Sequence, residues 1–342
     1  MSAAVDLALV GGWRCSGLEE VTDDLCALDG AGRWVVVLPY EGRAVCARFR
    51  SWQRAPGGPY RRRSAAVPLA GWRSSLDRAG FLHGVQEVRE AIAAGDVYQV
   101  NLCRRLSTAL PDGFDALSFG EDLLAAHPAP YGAVVDLPSL GLHVASASPE
   151  RFLRRQGRVV ESRPIKGTAA VAGGFTAKDR AENVMIVDLV RNDLGRVCEF
   201  GSVEVPGLCD VEAHPGLFHL VSTVQGRLRA GVGWPELLAA TFPPGSVTGA
   251  PKLAALGMIG ALEPVSRSVY CGAVGWVDAD RREGDLNVAI RTFWTEGGEL
   301  HLGVGGGITW GSAPAAEWEE TELKARRLLG AAAGVVAVGG RA

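Results

Sequence analysis

Residues 272–304, GAVGWVDADRREGDLNVAIRTFWTEGGELHLGV, decide the fold class of this chain. Three runs rich in β-branched and aromatic residues, Gly272–Val277, Leu286–Trp294 and Glu299–Val304, are separated by the turn-rich segments Asp278–Gly284 and Glu296–Gly298. Short connections of this kind join antiparallel neighbours. The stretch therefore predicts an antiparallel meander.

Outside this stretch, strand-like runs and helical patterns follow one another irregularly. The strand-like runs are Trp34–Leu38, Ala44–Phe49, Gly132–Asp136, His143–Ser146 and Leu220–Val224. Helical periodicity marks Phe81–Ala94, Lys178–Val197 and Pro314–Ala333, and Gly95 offers a C-cap to the first of these. Because strands and helices do not alternate regularly, the sequence predicts an α+β fold with antiparallel sheets.

Composition indicates a globular protein of one large domain or two ordinary ones. The 342 residues are 47% hydrophobic and 21% charged, and the net charge of −3 gives no basic field for nucleic acid or an acidic membrane. Seven scattered cysteines without a Cys-x-x-Cys pair favour reduced thiols, and no signal-like or bilayer-length apolar run is found, the longest candidate being Gly330–Gly340. We expect a soluble, cytoplasmic protein.

The chain is expected to divide at an arginine-, proline- and glycine-rich stretch. Residues 50–71 include Pro56, Pro59 and the run Arg61–Arg63, which is typical of a solvated loop or linker. We therefore predict a short N-terminal strand segment with its linker over residues 1–75, packing on a main catalytic domain over residues 76–335.

Lys166 is the most informative single residue. Its amine lies between Pro164, which fixes the backbone, and Gly167, which lets it turn. At an ordinary pKa almost every such amine is protonated at pH 7, so a nucleophilic role needs desolvation or cationic neighbours. The alternative is a surface lysine in a tight turn.

Two helices carry carboxylates suited to a divalent cation. A capping box of Thr176 and Asp179 begins one helix, and Glu182 lies on its apolar side. In the last helix Glu317 and Glu320 project from the same face as Lys324. Such oxygen ligands suit a partly hydrated Mg²⁺, whereas a frayed helix start and a solvated face with a Glu320–Lys324 ion pair are the alternatives.

Other segments are suited to anions or proton transfer. The glycines Gly305–Gly307 expose backbone N–H groups, and residues 245–252 form a glycine-rich loop before a helix, but neither has the spacing of a nucleotide motif. Arg291 fits a carboxylate clamp or a structural ion pair. His219 is a proton shuttle or a hydrogen-bonded core histidine, and Glu150 follows a strand on a loop, where an acid is readily presented.

From about Gly95 to about Leu329 the chain resembles the chorismate-utilising enzyme family, and within it the aminodeoxychorismate synthase branch. The resemblance rests on an ordered set of motifs: Gly95–Leu102, Ser148–Phe152, Pro164–Thr168, Lys178–Asn183 with Arg191–Leu194, His219–Ser222, Pro244–Lys252, Tyr270–Gly275, and Gly305–Ile308 with Glu317–Thr321.

This resemblance implies a layered α/β/β/α sandwich that binds chorismate with Mg²⁺. It implies Glu182 and Glu320 as metal ligands, with Glu317 assisting, and Glu150 as the acid that protonates the departing ring hydroxyl. Besides Lys166, it implies a catalytic part for His219, Thr168 and Gln99. The substrate would be held by Tyr270, Arg291, Thr248, Gly305, Gly306, Gly307 and Lys324.

Lys166 and Gln99 then choose the branch. Anthranilate synthases typically have alanine in place of Lys166, whereas the aminodeoxychorismate synthases have lysine, which implies a covalent lysine adduct. Isochorismate-forming relatives have a lysine base where this chain has Gln99, which cannot deprotonate water. The expected product is 4-amino-4-deoxychorismate, a precursor of 4-aminobenzoate; the alternatives are anthranilate, 2-amino-2-deoxyisochorismate, or an inactive scaffold that binds a partner.

The resemblance also implies a partner protein. We find neither a glutaminase nucleophile elbow nor a Cys–His–Glu set, so ammonia is expected from a separate glutamine amidotransferase subunit. The chain alone is expected to use ammonium salts rather than glutamine.

Overall fold

A computed structural model describes residues 5–55, 64–214 and 217–334 of the chain. Within these ranges all strand pairings are antiparallel, as expected for the α+β class. The helices are α1 (Arg78–Ala94), α2 (Ala116–Ala126), α3 (Ala177–Gly195), α4 (Trp234–Thr241), α5 (Lys252–Leu262) and α6 (Pro314–Ala332).

The strands in chain order are β1 (Leu7–Val10), β2 (Trp13–Thr22), β3 (Arg33–Leu38), β4 (Val45–Arg54), β5 (Arg73–Ser74), β6 (Gln99–Ala109), β7 (Ala133–Leu137), β8 (Leu142–Ser146), β9 (Arg151–Gln156), β10 (Val159–Arg163), β11 (Ile165–Ala169), β12 (Glu204–His214), β13 (Leu217–Arg227), β14 (Gly249–Ala250), β15 (Ala273–Asp278), β16 (Glu283–Val288), β17 (Thr292–Glu296) and β18 (Glu299–Ile308).

The sheet folds back so that its two ends meet. From one end, β12 pairs with β13, β13 with β10 and β11, and the path continues through β9, β16, β15 and β3. The N-terminal strands β4, β2 and β1 carry it to β7, β8, β17, β18 and β6. A Cβ on Gly307 in β18 would lie 3.5 Å from Lys166 Nζ in β11, so strands far apart in this order face each other.

Helices cover the two ends of this sheet. Helix α3 packs on β11 and β13, whereas α1, α5 and α6 pack on β6 and β18. Leu153, Val224 and Ile186 from the α3 end share the largest buried core with Val36 and Val135 from the middle strands. The N-terminal strands therefore contribute directly to the main core.

The predicted helices are confirmed together with their caps. Gly95 ends α1 in the left-handed conformation with φ 87°, which glycine adopts without strain. Thr176 and Asp179 form the predicted capping box at the start of α3. Among the described helices none is long and apolar enough to cross a lipid bilayer.

The predicted meander is wrong in its middle strand. The run Leu286–Trp294 is two strands, β16 and β17, because the backbone turns at Arg291, where φ is +52°. Strand β16 pairs with β9 and β15, whereas β17 pairs with β8 and β18. The sequence therefore predicts two hairpins correctly and their mutual pairing wrongly.

Several strands escape the sequence prediction. The 11-residue strand β6 contains both arginines of Arg104–Arg105, and β12 contains Pro206 and Gly207, so neither shows a clean alternation. Strand β4 extends through Arg54 into the expected loop. The linker residues 56–63, including Arg61–Arg63, and the end of the apolar run Gly330–Gly340 lie outside the described residues.

Candidate active site

Lys166 points into the protein from β11. Its Nζ donates a hydrogen bond of 2.9 Å to the carbonyl oxygen of Ser246. Gly167, with φ +85°, is required beside it, because a Cβ there would lie 3.0 Å from Cβ of Asp179. The alternative of a surface lysine in a solvated turn is therefore wrong.

The electrostatic surroundings of Lys166 act in opposite directions. Burial lowers the pKa of its ammonium group, and Lys324 lowers it further, whereas the carboxylates of Glu150, Glu182 and Glu320 raise it. Burial is the largest of these effects. A desolvated amine with a lowered pKa is the condition that a nucleophilic lysine requires.

Glu150 lines a small cavity together with Ser246 and its neighbours Pro244 and Gly245. Its residue is only 4% exposed, and burial raises the pKa of its carboxyl to about 7. The Ser246 hydroxyl, the Lys166 ammonium and the Ile165 N–H oppose this shift by favouring the carboxylate. Near neutral pH a substantial fraction of Glu150 is therefore protonated and able to donate a proton.

Three glutamates and two lysines lie near Lys166 and form ion pairs with one another. Lys178 Nζ lies 3.6 Å from Glu182 Oε1 and 3.8 Å from Glu317 Oε1, and Lys324 Nζ lies 2.7 Å from Glu320 Oε1. The side chains of Glu182 and Glu317 are 17% and 9% exposed, so both point inward. Glu182 therefore does not belong to a frayed helix start.

The three glutamates titrate differently because their surroundings differ. Burial raises the pKa of Glu182, and Glu317 raises it further. Burial also raises the pKa of Glu317, with Glu320 adding to the shift. The Lys324 ammonium lowers the pKa of Glu320, whose side chain is 54% exposed. The Glu320–Lys324 ion pair that was the alternative to a metal ligand is thus formed.

The glutamate oxygens are of the chemical type that binds Mg²⁺, but they do not converge on one point. Carboxylate oxygens from α3 and α6 face one another, and hard oxygen donors are what Mg²⁺ prefers. In the described ranges, however, no three Asp, Glu, His or Cys side chains lie close enough to hold an ion. Lys178 and Lys324 instead neutralise the glutamates.

Gly305–Gly307 form the floor of the site. They lie in β18 opposite Cys103, Leu102 and Asn101 of β6, so the predicted strand Glu299–Val304 continues through them. Lys324 Nζ donates to the carbonyl oxygen of Gly305 at 2.9 Å. Since a strand residue directs its N–H and C=O to the same side, the Gly305 N–H faces the same edge as this carbonyl.

Two of these glycines lie close to side chains of the site. A Cβ at Gly307 would lie 2.6 Å from Gln99 Nε2 and 3.5 Å from Lys166 Nζ. A Cβ at Gly306 would lie 3.4 Å from Glu317 Oε2. Side chains at these positions would fill the space between Lys166 and the glutamates.

Gln99 lies fully buried beside Gly307. Neither its Oε1 nor its Nε2 has a hydrogen-bond partner among the described residues. A buried amide without partners is costly unless a ligand or water satisfies it. Its position beside Lys166 marks this space as one that a polar molecule occupies.

His219 and Thr168 face each other across β11 and β13. His219 Nδ1 lies 3.0 Å from Thr168 Oγ1, and burial lowers the His219 pKa to about 4, with Arg291 and His214 adding to the shift. The imidazole is therefore neutral at pH 7 and acts as a hydrogen-bonding group there, rather than as a charged shuttle.

Arg291 lies at the break between β16 and β17 rather than on the predicted strand face. Burial lowers its pKa, and so does Arg327. No ion pair is found for its guanidinium within the described ranges, so the alternative of a structural ion pair is not realised. An arginine so placed beside His219 can receive a carboxylate.

Thr248 and Tyr270 have contacts of a different kind. The Thr248 hydroxyl donates to the carbonyls of Pro244 and Gly245 at 3.2 and 3.3 Å, which keeps it inside its own loop. The ring of Tyr270 packs on Gly303 and its hydroxyl interacts with Cys103. Neither side chain is brought to Lys166 by these contacts.

The sequence also concealed the parts played by Lys178 and Lys252. In the glycine-rich segment 245–252, Lys252 Nζ is bound to Asp193 Oδ2 at 2.6 Å and to two carbonyls. One signal was available: of 35 basic residues only four are lysines, namely Lys166, Lys178, Lys252 and Lys324. All four are placed at or around this site.

Comparisons with known proteins agree with this geometry. A family model described as chorismate binding enzyme matches residues 47–330. The chain is 40% identical over 339 residues to anthranilate synthase component 1 of Streptomyces coelicolor, covering 90% of this chain and 65% of that protein. It is also 40% identical over 317 residues to aminodeoxychorismate synthase component 1 of Klebsiella aerogenes, covering 86% and 68%.

The chain thus spans about two thirds of the length of these curated relatives. Its fold matches the crystal structure of anthranilate synthase component I from Streptococcus pneumoniae with a TM-score of 0.77 at 23% identity, covering 96% of this chain and 91% of that one. The matched range, the identity and the shared fold together show that this chain belongs to the chorismate binding enzyme family.

Proposed function

We propose that the protein aminates chorismate with ammonia to give 4-amino-4-deoxychorismate. The observation that carries the proposal is the Lys166 amine, which is desolvated, held by the Ser246 carbonyl and surrounded by Glu150, Glu182 and Glu320. The relative from Klebsiella aerogenes bears the name of this activity at 40% identity.

Lys166 acts as the nucleophile in the first step. Its lone pair forms a bond to the ring carbon next to the carboxylate-bearing carbon, the ring double bonds shift, and the C–O bond of the ring hydroxyl breaks. The hydroxyl leaves as water with a proton from Glu150. Ammonia then bonds to the carbon that carried the hydroxyl, the double bonds shift back and the bond to Lys166 breaks, so that chorismate and ammonia give aminodeoxychorismate and water.

Glu150 suits the role of the acid. A carboxyl with a pKa of about 7 still holds a proton where an ordinary glutamic acid would have lost it. It lies beside the Ser246 segment, whose backbone carbonyl accepts the hydrogen bond from Lys166, so the proton donor and the nucleophile flank the same piece of chain.

Positive groups balance the charge of the substrate. Lys324, Lys178 and Arg291 would attract the two carboxylates, and the Gly305 N–H faces the same space. Mg²⁺ would be held by Glu182 and Glu320, with Glu317 assisting, and would neutralise the ring carboxylate. Gln99, a neutral amide that has no hydrogen-bond partner among the described residues, would hydrogen-bond the substrate.

Ammonia would come from a glutamine amidotransferase subunit. The Klebsiella relative is named component 1, which supports a second component. The purified chain should therefore use ammonium salts and not glutamine. Efficient use of glutamine by the chain alone would contradict this part of the proposal.

The test compares the wild type with Lys166→Ala in a reaction of chorismate, ammonium and Mg²⁺, with the products resolved by mass. The wild type should form aminodeoxychorismate, and a pyridoxal-dependent lyase should convert it into 4-aminobenzoate. The variant should lose the product by on the order of 10³-fold, because no other amine replaces the nucleophile. Formation at the wild-type rate would refute the covalent role.

A second candidate is the formation of anthranilate. It is favoured by the Streptomyces coelicolor relative, which is named anthranilate synthase component 1 and covers 90% of this chain. In that case ammonia would bond to the carbon that Lys166 attacks in the first proposal. A fluorescent product that persists in Lys166→Ala would select this candidate.

A further inference from the structure

One short segment of backbone binds Lys166 and lies beside Glu150. Residues 241–248, here called the Ser246 loop, run from the end of α4 toward β14. The Ser246 carbonyl accepts the 2.9 Å hydrogen bond from Lys166, and Ser246 lines the same small cavity as Glu150. The position of this loop therefore bears on the Lys166 amine and on the space around the Glu150 carboxyl.

A buried lysine anchors the first half of the Ser246 loop. Lys252 Nζ donates to the carbonyls of Thr241 and Pro243 at 3.0 and 2.9 Å, and to Asp193 Oδ2 at 2.6 Å. The two side chains are only 14% and 7% exposed. All three ammonium protons are thus used, and the loop is tied to α3 through Asp193.

A buried arginine anchors the second half. Arg267 Nη1 donates to the carbonyl of Val247 at 2.7 Å, and Nη2 donates to the carbonyl of Asn101 in β6 at the same distance. Its Nε and Nη2 also form a double hydrogen bond with Glu263 at 2.8 and 2.6 Å. The guanidinium thereby ties the loop to β6 from the side opposite Asp193.

We propose that Lys252 and Arg267 are positioning residues that fix the Ser246 loop from both ends and so aim the Lys166 amine and the Glu150 carboxyl. The inference rests on the proposed function of these two groups. Pro243 and Val247, whose carbonyls are bound, flank Ser246 closely on either side. Loss of one anchor leaves that half of the loop free to shift.

Such a shift would act on chemistry more than on binding. The loop carries the acceptor for the nucleophile and a neighbour of the acid, whereas the groups proposed for the substrate carboxylates lie on α3, α6, β18 and the break between β16 and β17. A displacement of about 1 Å in a catalytic group can cost about 10²-fold in rate. A fall in kcat with little change in KM is therefore the signature of a positioning role.

The chain offers a matched control for the loss of a buried cation. Arg155, 4% exposed, donates to the carbonyls of Gly157 and Val232 and pairs with Asp29 at 3.2 Å. None of these contacts involves the Ser246 loop. Arg155→Met therefore removes a comparable set of buried hydrogen bonds at a distance from Lys166.

The test measures Lys166 directly in Lys252→Met, Arg267→Met and Arg155→Met. A small acylating reagent and peptide mapping give the rate of labelling of Lys166 relative to Lys178, which is simple to follow because the chain has only four lysines. In the two anchor variants the ratio should change more than about threefold, and kcat should fall about 10–100-fold with KM within about threefold. Lys252→Arg should restore part of the loss.

In Arg155→Met both the labelling ratio and kcat should stay within about twofold of the wild type, although its melting temperature falls. If the anchor variants behave like Arg155→Met, the proposal is overturned. If Lys252→Met does not fold, the double variant Asp193→Leu with Lys252→Met removes both buried charges and keeps the test. Because labelling of Lys166 needs no catalytic turnover, it tests the two anchor residues even if the protein does not aminate chorismate. The positioning proposal and the proposed function can therefore be refuted independently.

Discussion

Lys166 and Lys252 are both removed from bulk water, but their partners differ. Lys252 has a carboxylate at 2.6 Å and two carbonyls, so its ammonium is fully bound. Lys166 has one carbonyl at 2.9 Å, and within the described residues no carboxylate forms an ion pair with it. The first arrangement locks a charge in place, and the second leaves an amine that can lose its proton.

The two lysines differ in how many hydrogen-bond partners their ammonium groups have rather than in how deeply they are buried. Burial lowers the pKa of both ammonium groups, and the direct contact with Asp193 raises that of Lys252 again. A fully hydrogen-bonded buried pair specifies structure, whereas a partly satisfied group is held at a cost that function explains. The same reasoning separates Arg267, whose three guanidinium nitrogens all donate hydrogen bonds, from Arg291, which has no ion pair in the described ranges.

The largest predicted effect is on stability, and it distinguishes two carboxylates of the same helix, α3. Asp193→Ala leaves Lys252 buried without its counter-charge and should lower the free energy of unfolding by about 3–5 kcal/mol. Glu182→Ala should change it by less than about 1 kcal/mol, because the variant relieves repulsion from Glu317. Urea denaturation at pH 7 measures both, and equal losses would contradict the distinction.

The next effect concerns the proton on Glu150. Because its folded pKa of about 7 lies above the ordinary 4.5, the protonated form prevails at lower pH, and kcat/KM should fall as pH rises through about 7. Glu150→Gln should lower kcat about 10²-fold and remove this limb. If kcat/KM of the variant still falls as pH rises through about 7, the titrating group is not Glu150.

The same shift has a consequence for stability. Since folding raises this pKa, the protonated state stabilises the fold fully below about pH 4.5, and this contribution is lost as pH rises through about 7. Glu150→Gln should therefore gain stability relative to the wild type over that interval. Parallel melting temperatures of both proteins across the interval would speak against a raised pKa.

A smaller predicted effect, on substrate binding, tests the glycines Gly305–Gly307 that line the site. Gly307→Ala places a Cβ 2.6 Å from Gln99 Nε2 and 3.5 Å from Lys166 Nζ, so Gln99 has to shift into the space kept for the substrate. We expect KM for chorismate to rise about tenfold while the fold is kept, since about 1.4 kcal/mol of binding corresponds to that factor. Gly330→Ala in α6, where nothing lies near the added Cβ, is the control.

The smallest predicted effect tests whether the N-terminal cap of α3 holds Glu182 in place. Thr176→Ala removes the exposed cap and should destabilise the protein by about 1 kcal/mol. The loss should leave Lys166 labelling unchanged while it raises the Mg²⁺ concentration needed for half-maximal rate, because Glu182 lies in the second turn of α3. An unchanged Mg²⁺ requirement would show that the cap does not hold Glu182.

Much of the fold was accessible from sequence because it depends on local patterns. The helix ends at Gly95 and Thr176 were predicted from capping chemistry, which involves only neighbouring residues. Strand β6 was missed because it is buried on both faces and carries Arg104, so it has no alternation to detect. The break at Arg291 was missed because its reason is the exchange of partner strands.

The sequence by itself determined the class of fold, the family resemblance and the residues that gather around Lys166, since ordered motifs and capping signals are written in neighbouring positions. Only the tertiary structure decided that Lys252 binds Asp193, that Gly305–Gly307 lie in a strand, and that the Gln99 amide has no hydrogen-bond partner in the described part of the chain. The physical reason is that hydrogen-bond satisfaction and desolvation depend on groups far away in the chain, here brought together when the sheet folds back on itself.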